Sequence, residues 1–298
     1  MTNEVFLQIG ALTLDIKSPC ALSFRDTLPV YEAFLERMAH HDEAADVRVR
    51  LVLGSIPSTA TLNRVFSGES WSMFQDTGFR YISRHPPVLD EPLCIAQFDP
   101  EVKHATIYCG PSLLDNNGAS ALLNPVRYPL DQLLVMYALA GRDGIIVHAA
   151  GATIAGKGFV FPGASSAGKS TLCAQLAGHP DIEILSDDRV ILRQIDGEWR
   201  VFGTPWPGDA GIAVNKGVPL SAMLFLNHGQ DNRIARVGPS QALERLLPVV
   251  SIPWYDAPMV PLLLSSCDAL LMGIPAFELS FLPVPAVADF MVASASSF

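Results

Sequence analysis

Eight consecutive residues, Gly163-Ala164-Ser165-Ser166-Ala167-Gly168-Lys169-Ser170, fit the spacing G-x-x-x-x-G-K-[ST] at every fixed position. Those residue types share one chemistry. Glycines let the backbone curl so that successive N–H groups converge on phosphate oxygens, while a lysine reaches the terminal phosphates and a hydroxyl ligates Mg²⁺. The candidate cradle is therefore Gly163, Ser165, Ser166, Ala167 and Gly168, with Lys169 as the cation, Ser170 as the metal ligand and Thr171 beside it. A second group follows. Asp187 and Asp188 lie between two β-like runs, Ile182–Ser186 and residues 189–192. A metal–nucleotide site needs a carboxylate near the ion, and phosphorylation of a hydroxyl gains from another that accepts the proton. Asp187 joins Ser170 as the candidate metal ligand, and either aspartate can serve as the base.

These residues need elements to hold them. Gly158-Phe159-Val160-Phe161 is an apolar, β-favouring run into the loop. Leu172, Cys173 and Leu176 share one face of a helix that starts at Lys169, and Gly178 ends it. Gly144–Ile154 reads as a long strand, and Ala155-Gly156-Lys157-Gly158 as a tight turn. The loop is thus fed by a hairpin, where the common nucleotide-binding arrangement uses a parallel crossover. By its short separation, the Asp187-Asp188 segment is expected beside the strand that enters the loop.

The rest of the chain divides by texture near residue 125. Residues 1–124 show alternating segments such as Val47-Arg48-Val49-Arg50-Leu51 between Pro- and Gly-bearing turns, which predicts a smaller, sheet-rich N-terminal domain. A helix is expected at 29–38, where Val30, Phe34, Leu35 and Met38 share a face, and a turn at Asp115-Asn116-Asn117-Gly118. Residues 125–298 make the second domain. It opens with a nearly all-apolar helix at 129–140 and closes with helices at 240–247, 258–271 and 286–292 and a strand at 277–282 that completes the sheet.

Composition narrows the function classes. With 20 basic and 30 acidic side chains the net charge is −10, which argues against nonspecific binding to nucleic acid or membrane. No uncharged apolar run reaches membrane-spanning length, and the first residues lack a basic region followed by an apolar stretch. Five dispersed cysteines without a C-x-x-C pair read as reduced thiols in a cytoplasm and give no support for zinc.

The strand carrying His148, the phosphate-loop pattern and Ser186-Asp187-Asp188-Arg189-Val190 together resemble the catalytic domain of HPr kinase/phosphorylase, which is related in fold to phosphoenolpyruvate carboxykinase. The resemblance is clear over residues 144–195. It implies an α/β fold with a P-loop core and mixed sheet, ATP and Mg²⁺ as cofactors, and roles for His148, Lys169, Asp187 and Asp188 in catalysis. Thr171 stands where such kinases carry an acidic residue, and Phe202-Gly203-Thr204-Pro205-Trp206-Pro207-Gly208-Asp209-Ala210-Gly211 replaces their later arginine-bearing signature. These departures point away from phosphorylase activity and from HPr as acceptor. They point toward a peptide or protein Ser/Thr hydroxyl, as in kinases that modify the precursor of a ribosomally made lasso-type peptide. A homo-oligomer is compatible with this reading. A nucleotide-binding regulator without phosphotransfer, a kinase of a small metabolite and a carboxykinase-like enzyme are the alternatives. Arg189 could contact phosphate or pair with Asp187. Trp206 and Asp209 read as a loop at a pocket edge, Lys216 as a surface lysine, and Arg233 and Arg236 as cations able to meet an acidic peptide.

Overall fold

The computed structural model describes residues 3–24, 29–36, 45–89, 91–115 and 121–298. Two compact units result, Met1–Ala138 and Leu139–Phe298. The chain is a mixed α/β protein with several sheets.

In the first unit the strands are β1 (Glu4–Ile9), β2 (Leu12–Lys17), β3 (Ala21–Ser23), β4 (Leu35–Glu36), β5 (Val47–Leu53), β6 (Asn63–Ser67), β7 (Trp71–Gln75), β8 (Arg80–Arg84), β9 (Cys94–Phe98), β10 (His104–Cys109), β11 (Leu114–Asp115) and β12 (Ala121–Leu123). Nine of them form one sheet in the order β4-β1-β2-β5-β10-β9-β8-β7-β6, and β11-β12-β3 form another. The alternation in β5 does what a half-buried strand requires: Val47, Val49 and Leu51 are buried, while Arg48 and Arg50 are exposed. Residues 29–38 correct the sequence expectation. Pro29–Phe34 is a 3₁₀ helix and the chain then extends into β4, while Met38 lies outside the described residues. Three residues per turn place Tyr31 and Phe34 on one buried face, a spacing the tighter helix satisfies without Met38. The turn expected at 115–118 also falls largely outside the described residues.

Helix α1 (Leu130–Ala140) is buried along most of its length, as its apolar sequence demands. The second unit is built on β13 (Gly144–Ile154) and β14 (Lys157–Pro162), an antiparallel hairpin turned at Ala155–Gly156. Helix α2 (Lys169–Leu176) follows, then β15 (Ile182–Ser186), β16 (Arg189–Ile195), β17 (Glu198–Phe202), β18 (Gly217–His228) and β19 (Arg233–Arg236). Helices α3 (Pro239–Leu246) and α4 (Val260–Gly273), strand β20 (Ala276–Phe281) and helix α5 (Ala286–Ser294) complete it.

Both β15 and β16 pair antiparallel with the same edge of β13, β15 along Gly151 to Ile154 and β16 along Gly144 to His148. This corrects the expected neighbour of the aspartate segment. It lies beside β13 and not beside β14, because β14 is flanked by β13 on one side and by parallel β18 on the other. Strand β20 is the last strand in chain order, as expected, and lies inside the sheet. It pairs parallel with β18 and antiparallel with β19, so β19 is the edge. Leu172, Cys173 and Leu176 of α2 join Val287, Ala288 and Met291 of α5 in a core against Phe159, Phe161, Leu224 and Phe281 of the sheet. Burying a side chain of that size contributes about 1.5–3 kcal/mol, so the helix that begins at the phosphate-type loop is fixed by its own apolar face.

Candidate active site

The 163–170 loop leaves β14 at the sheet's end and passes directly into α2. Gly168, at the helix N-cap, has φ 96°, a left-handed conformation that favours glycine, and Ser166 also turns left-handed at φ 68°. With the loop so curled, Lys169 is buried and its Nζ donates to the Gly163 and Ala164 carbonyls at 2.7 and 3.1 Å. Burial pushes the lysine's pKa down, while the nearby charge of Asp188 opposes that. Ser165, Ser166, Ser170 and Thr171 are exposed.

Asp187 and Asp188 occupy the two-residue join between β15 and β16, opposite the middle of β13. Interruptions of this kind re-aim side chains, and here they send the two carboxylates into different surroundings. Asp187 is 2% exposed. Its Oδ1 accepts the Gly208 and Ile212 N–H groups at 3.0 and 3.3 Å, and its Oδ2 accepts the Ala210 N–H at 2.9 Å. It therefore holds the 203–212 loop by three charge-assisted bonds. The approach is close enough that a Cβ on Gly208 would come within 2.9 Å of Asp187 Oδ2 and 3.1 Å of Asp188 Cβ.

Asp188 faces the other way. His148 Nε2 donates to its Oδ1 at 2.8 Å, and Arg189 Nε lies 3.5 Å from its Oδ2. Burial pushes the Asp188 carboxyl up, but the His148 bond and the charges of Arg189 and Lys169 outweigh it and hold the group below the usual carboxylate range. Arg189 accordingly pairs with Asp188, where the sequence allowed Asp187 as its partner.

These groups line one pocket of about 490 Å³: His148, Ser165, Ser166, Gly168, Lys169, Ser170, Thr171, Asp187 and Asp188, with Gly208, Asp209 and His228. Gly163 and Ala167 shape the loop from outside that lining. Sequence reasoning overlooked Gly208 and His228. The second stands at the end of β18, and His228 Cε1 and Phe281 Cζ lie 3.7 and 3.6 Å from where a Gly168 Cβ would be. No local pattern marks His228, since the parallel pairing of β18 with β14 is what brings it to the loop. Trp206 is buried, so the 203–212 loop carries an apolar anchor as well as the Asp187 bonds. Lys216 makes a surface pair with Glu183 at 2.6 Å and lies away from the pocket lining. The first unit holds a larger cavity of about 850 Å³, but Glu91 is its single charged lining residue. Its Cys109 thiol is pushed up to about 12 by burial. Chemistry converges on the smaller pocket.

A Mg²⁺ ion would suit the donors here. Ser170 is exposed and lines the same pocket as the two carboxylates, and Asp187 Oδ2 accepts one bond and so keeps acceptor capacity. Among the described residues no group of three or more His, Cys, Asp or Glu side chains could hold a metal by itself. That donor set fits an ion that retains waters and shares phosphate oxygens. No helix among the described residues is long and apolar enough to cross a membrane.

A family model described as SynChlorMet cassette protein ScmC matches residues 126–257, a segment that contains the 163–170 loop, both aspartates and the 203–212 loop. Among solved structures the chain is similar to the Hpr(Ser) kinase/phosphatase from Coxiella burnetii, at 13% identity and a TM-score of 0.30. That match covers 51% of this chain and 96% of the other. Searching the curated proteins gives no match. The likeness to a kinase/phosphatase is thus a distant one.

Proposed function

We propose that this protein is an ATP-dependent phosphotransferase that passes the γ-phosphoryl group to a Ser or Thr hydroxyl of a peptide or protein. The observation that carries the reading is Asp188, held at 2.8 Å by His148 in the same pocket as Lys169 and the exposed hydroxyl of Ser170. Backbone N–H groups of Ser165 to Lys169 would cradle the β-phosphate, with Lys169 turning from the Gly163 and Ala164 carbonyls to the transferring group. Ser170 and Asp187 would hold Mg²⁺, which when bound supplies positive charge to the phosphate oxygens. The acceptor oxygen bonds to the γ-phosphorus as the bond from phosphorus to the β–γ bridging oxygen breaks and ADP leaves. Asp188 accepts the hydroxyl proton, oriented by His148 and Arg189. An aspartate is a weak base near pH 7, so its contribution lies in position.

Radiolabelled ATP with Mg²⁺ and a library of Ser- and Thr-containing peptides tests this. Label should appear on a peptide hydroxyl and vanish in the Lys169→Ala protein. Slow ATP hydrolysis with every acceptor, and no labelled peptide or protein, would instead favour a nucleotide-binding regulator.

A further inference from the structure

We infer that the free edge of β19 is a docking strand for an extended, acidic segment of the acceptor polypeptide. The inference rests on the phosphotransfer reading above for the word acceptor, but its observations are separate. Among the described residues, strand β19 pairs with β20 alone and ends the sheet. The Val237 N–H donates to Ala276 O, so by the alternation of an antiparallel ladder Ile234 and Arg236 turn their N–H and C=O groups outward. Such a row is a template for an added strand.

The side chains on that edge select the occupant. Arg233 and Arg236 are exposed, and among the described residues neither has an ion-pair partner. The neighbouring cation is different: Arg245 is paired with Glu278 at 2.8 Å. Two unpaired arginines on one four-residue strand stand out in a chain of net charge −10. Being three apart, they lie on opposite faces of the strand, so an added strand would match them with carboxylates also three residues apart.

Position links the edge to the pocket. Arg233 pairs with Ser280, one residue from Phe281, and Phe281 pairs with the pocket residue His228. From β19 to β13, where His148 holds Asp188, the order is β19-β20-β18-β14-β13. An added strand lies one spacing outside β19, so five strand spacings of about 4.8 Å separate it from β13, about 24 Å or about seven extended residues. The acceptor hydroxyl is therefore expected about seven residues from the paired, acidic segment.

Fluorescence anisotropy with three labelled peptides decides the matter. The first carries two Glu residues three apart and a Ser about seven residues beyond; the second replaces Glu by Lys; the third keeps Glu but has N-methylated backbone amides in the acidic segment. The first should bind at least about tenfold more tightly than the second, and the preference should reverse in an Arg233→Glu/Arg236→Glu protein. N-methylation should weaken binding at least about fivefold, since it removes the ladder bonds. Equal binding of acidic and basic peptides, or binding of neither, overturns the inference. So does an Arg233→Ser/Arg236→Ser protein that self-associates in sedimentation yet binds the acidic peptide as before, because the arginines would then only guard the edge. Binding of a fluorescent ADP analogue, measured in parallel, reports on the phosphotransfer reading by itself. Its absence with peptide selectivity intact would count against that reading and leave the docking strand standing.

Discussion

Two loops meet at the pocket, and they are held in opposite ways. The 163–170 loop is closed from within: its own Lys169 donates to the Gly163 and Ala164 carbonyls, and Gly168 supplies the left-handed turn into α2. The 203–212 loop is closed from outside, by a carboxylate 21 residues before Gly208 that accepts three of its N–H groups. A loop of the first kind writes its geometry into contiguous residues. One of the second kind depends on a strand junction elsewhere. The two aspartates at that junction repeat the contrast, since Asp187 faces backbone and Asp188 faces His148 and Arg189.

If the self-closed loop binds phosphate, Lys169→Ala gives the largest effect. Phosphate transfer should fall by at least about 10³-fold, as expected for a lost preorganised charge. Thermal unfolding should stay cooperative, and retained turnover would remove the lysine from the mechanism. Asp188→Asn comes next. It keeps the shape and loses the charge, so turnover should drop about 10²- to 10³-fold while nucleotide affinity changes little. An equal fall in both would make Asp188 a binding group.

Asp187→Ala sharpens the comparison through stability. Three N–H groups of the 203–212 loop lose their acceptor, which should cost about 3 kcal/mol in denaturant unfolding. If the variant is as stable as the parent, the loop is held by Trp206 and its own turns. The pH profile separates the carboxylates further. Asp188 binds its proton less readily folded than its ordinary value of 3.8 implies. Its contribution to stability is therefore fully present above that value and is lost as pH falls through the lower, folded pKa. Unfolding from pH 6 to pH 2 should show this loss in the parent and not in Asp188→Asn; parallel curves would deny the coupling to His148 and Arg189. The smallest effect belongs to Lys216→Ala. Its exposed pair with Glu183 should be worth less than about 0.5 kcal/mol, with turnover unchanged.

Much of the fold was legible because its signals are local. The apolar run at α1, the hairpin turn at Ala155–Gly156 and the alternation in β5 each follow from neighbours within a few residues. What was misread is long-range pairing. The aspartate segment was expected beside β14 and lies beside β13. The 3₁₀ helix at Pro29–Phe34 escaped because its buried pair, Tyr31 and Phe34, fits three residues per turn as well as the wider helical face does.

The sequence by itself determined the 163–170 loop, the hairpin that feeds it and the presence of two adjacent carboxylates. Their geometry is set by backbone torsions and bonds within a few residues. The tertiary structure alone decided that Asp187 anchors a loop while Asp188 joins His148, that His228 reaches the same pocket, and that β19 is left as an edge. Each of these depends on strand register, and register is fixed by which apolar faces can be buried together across the whole sheet.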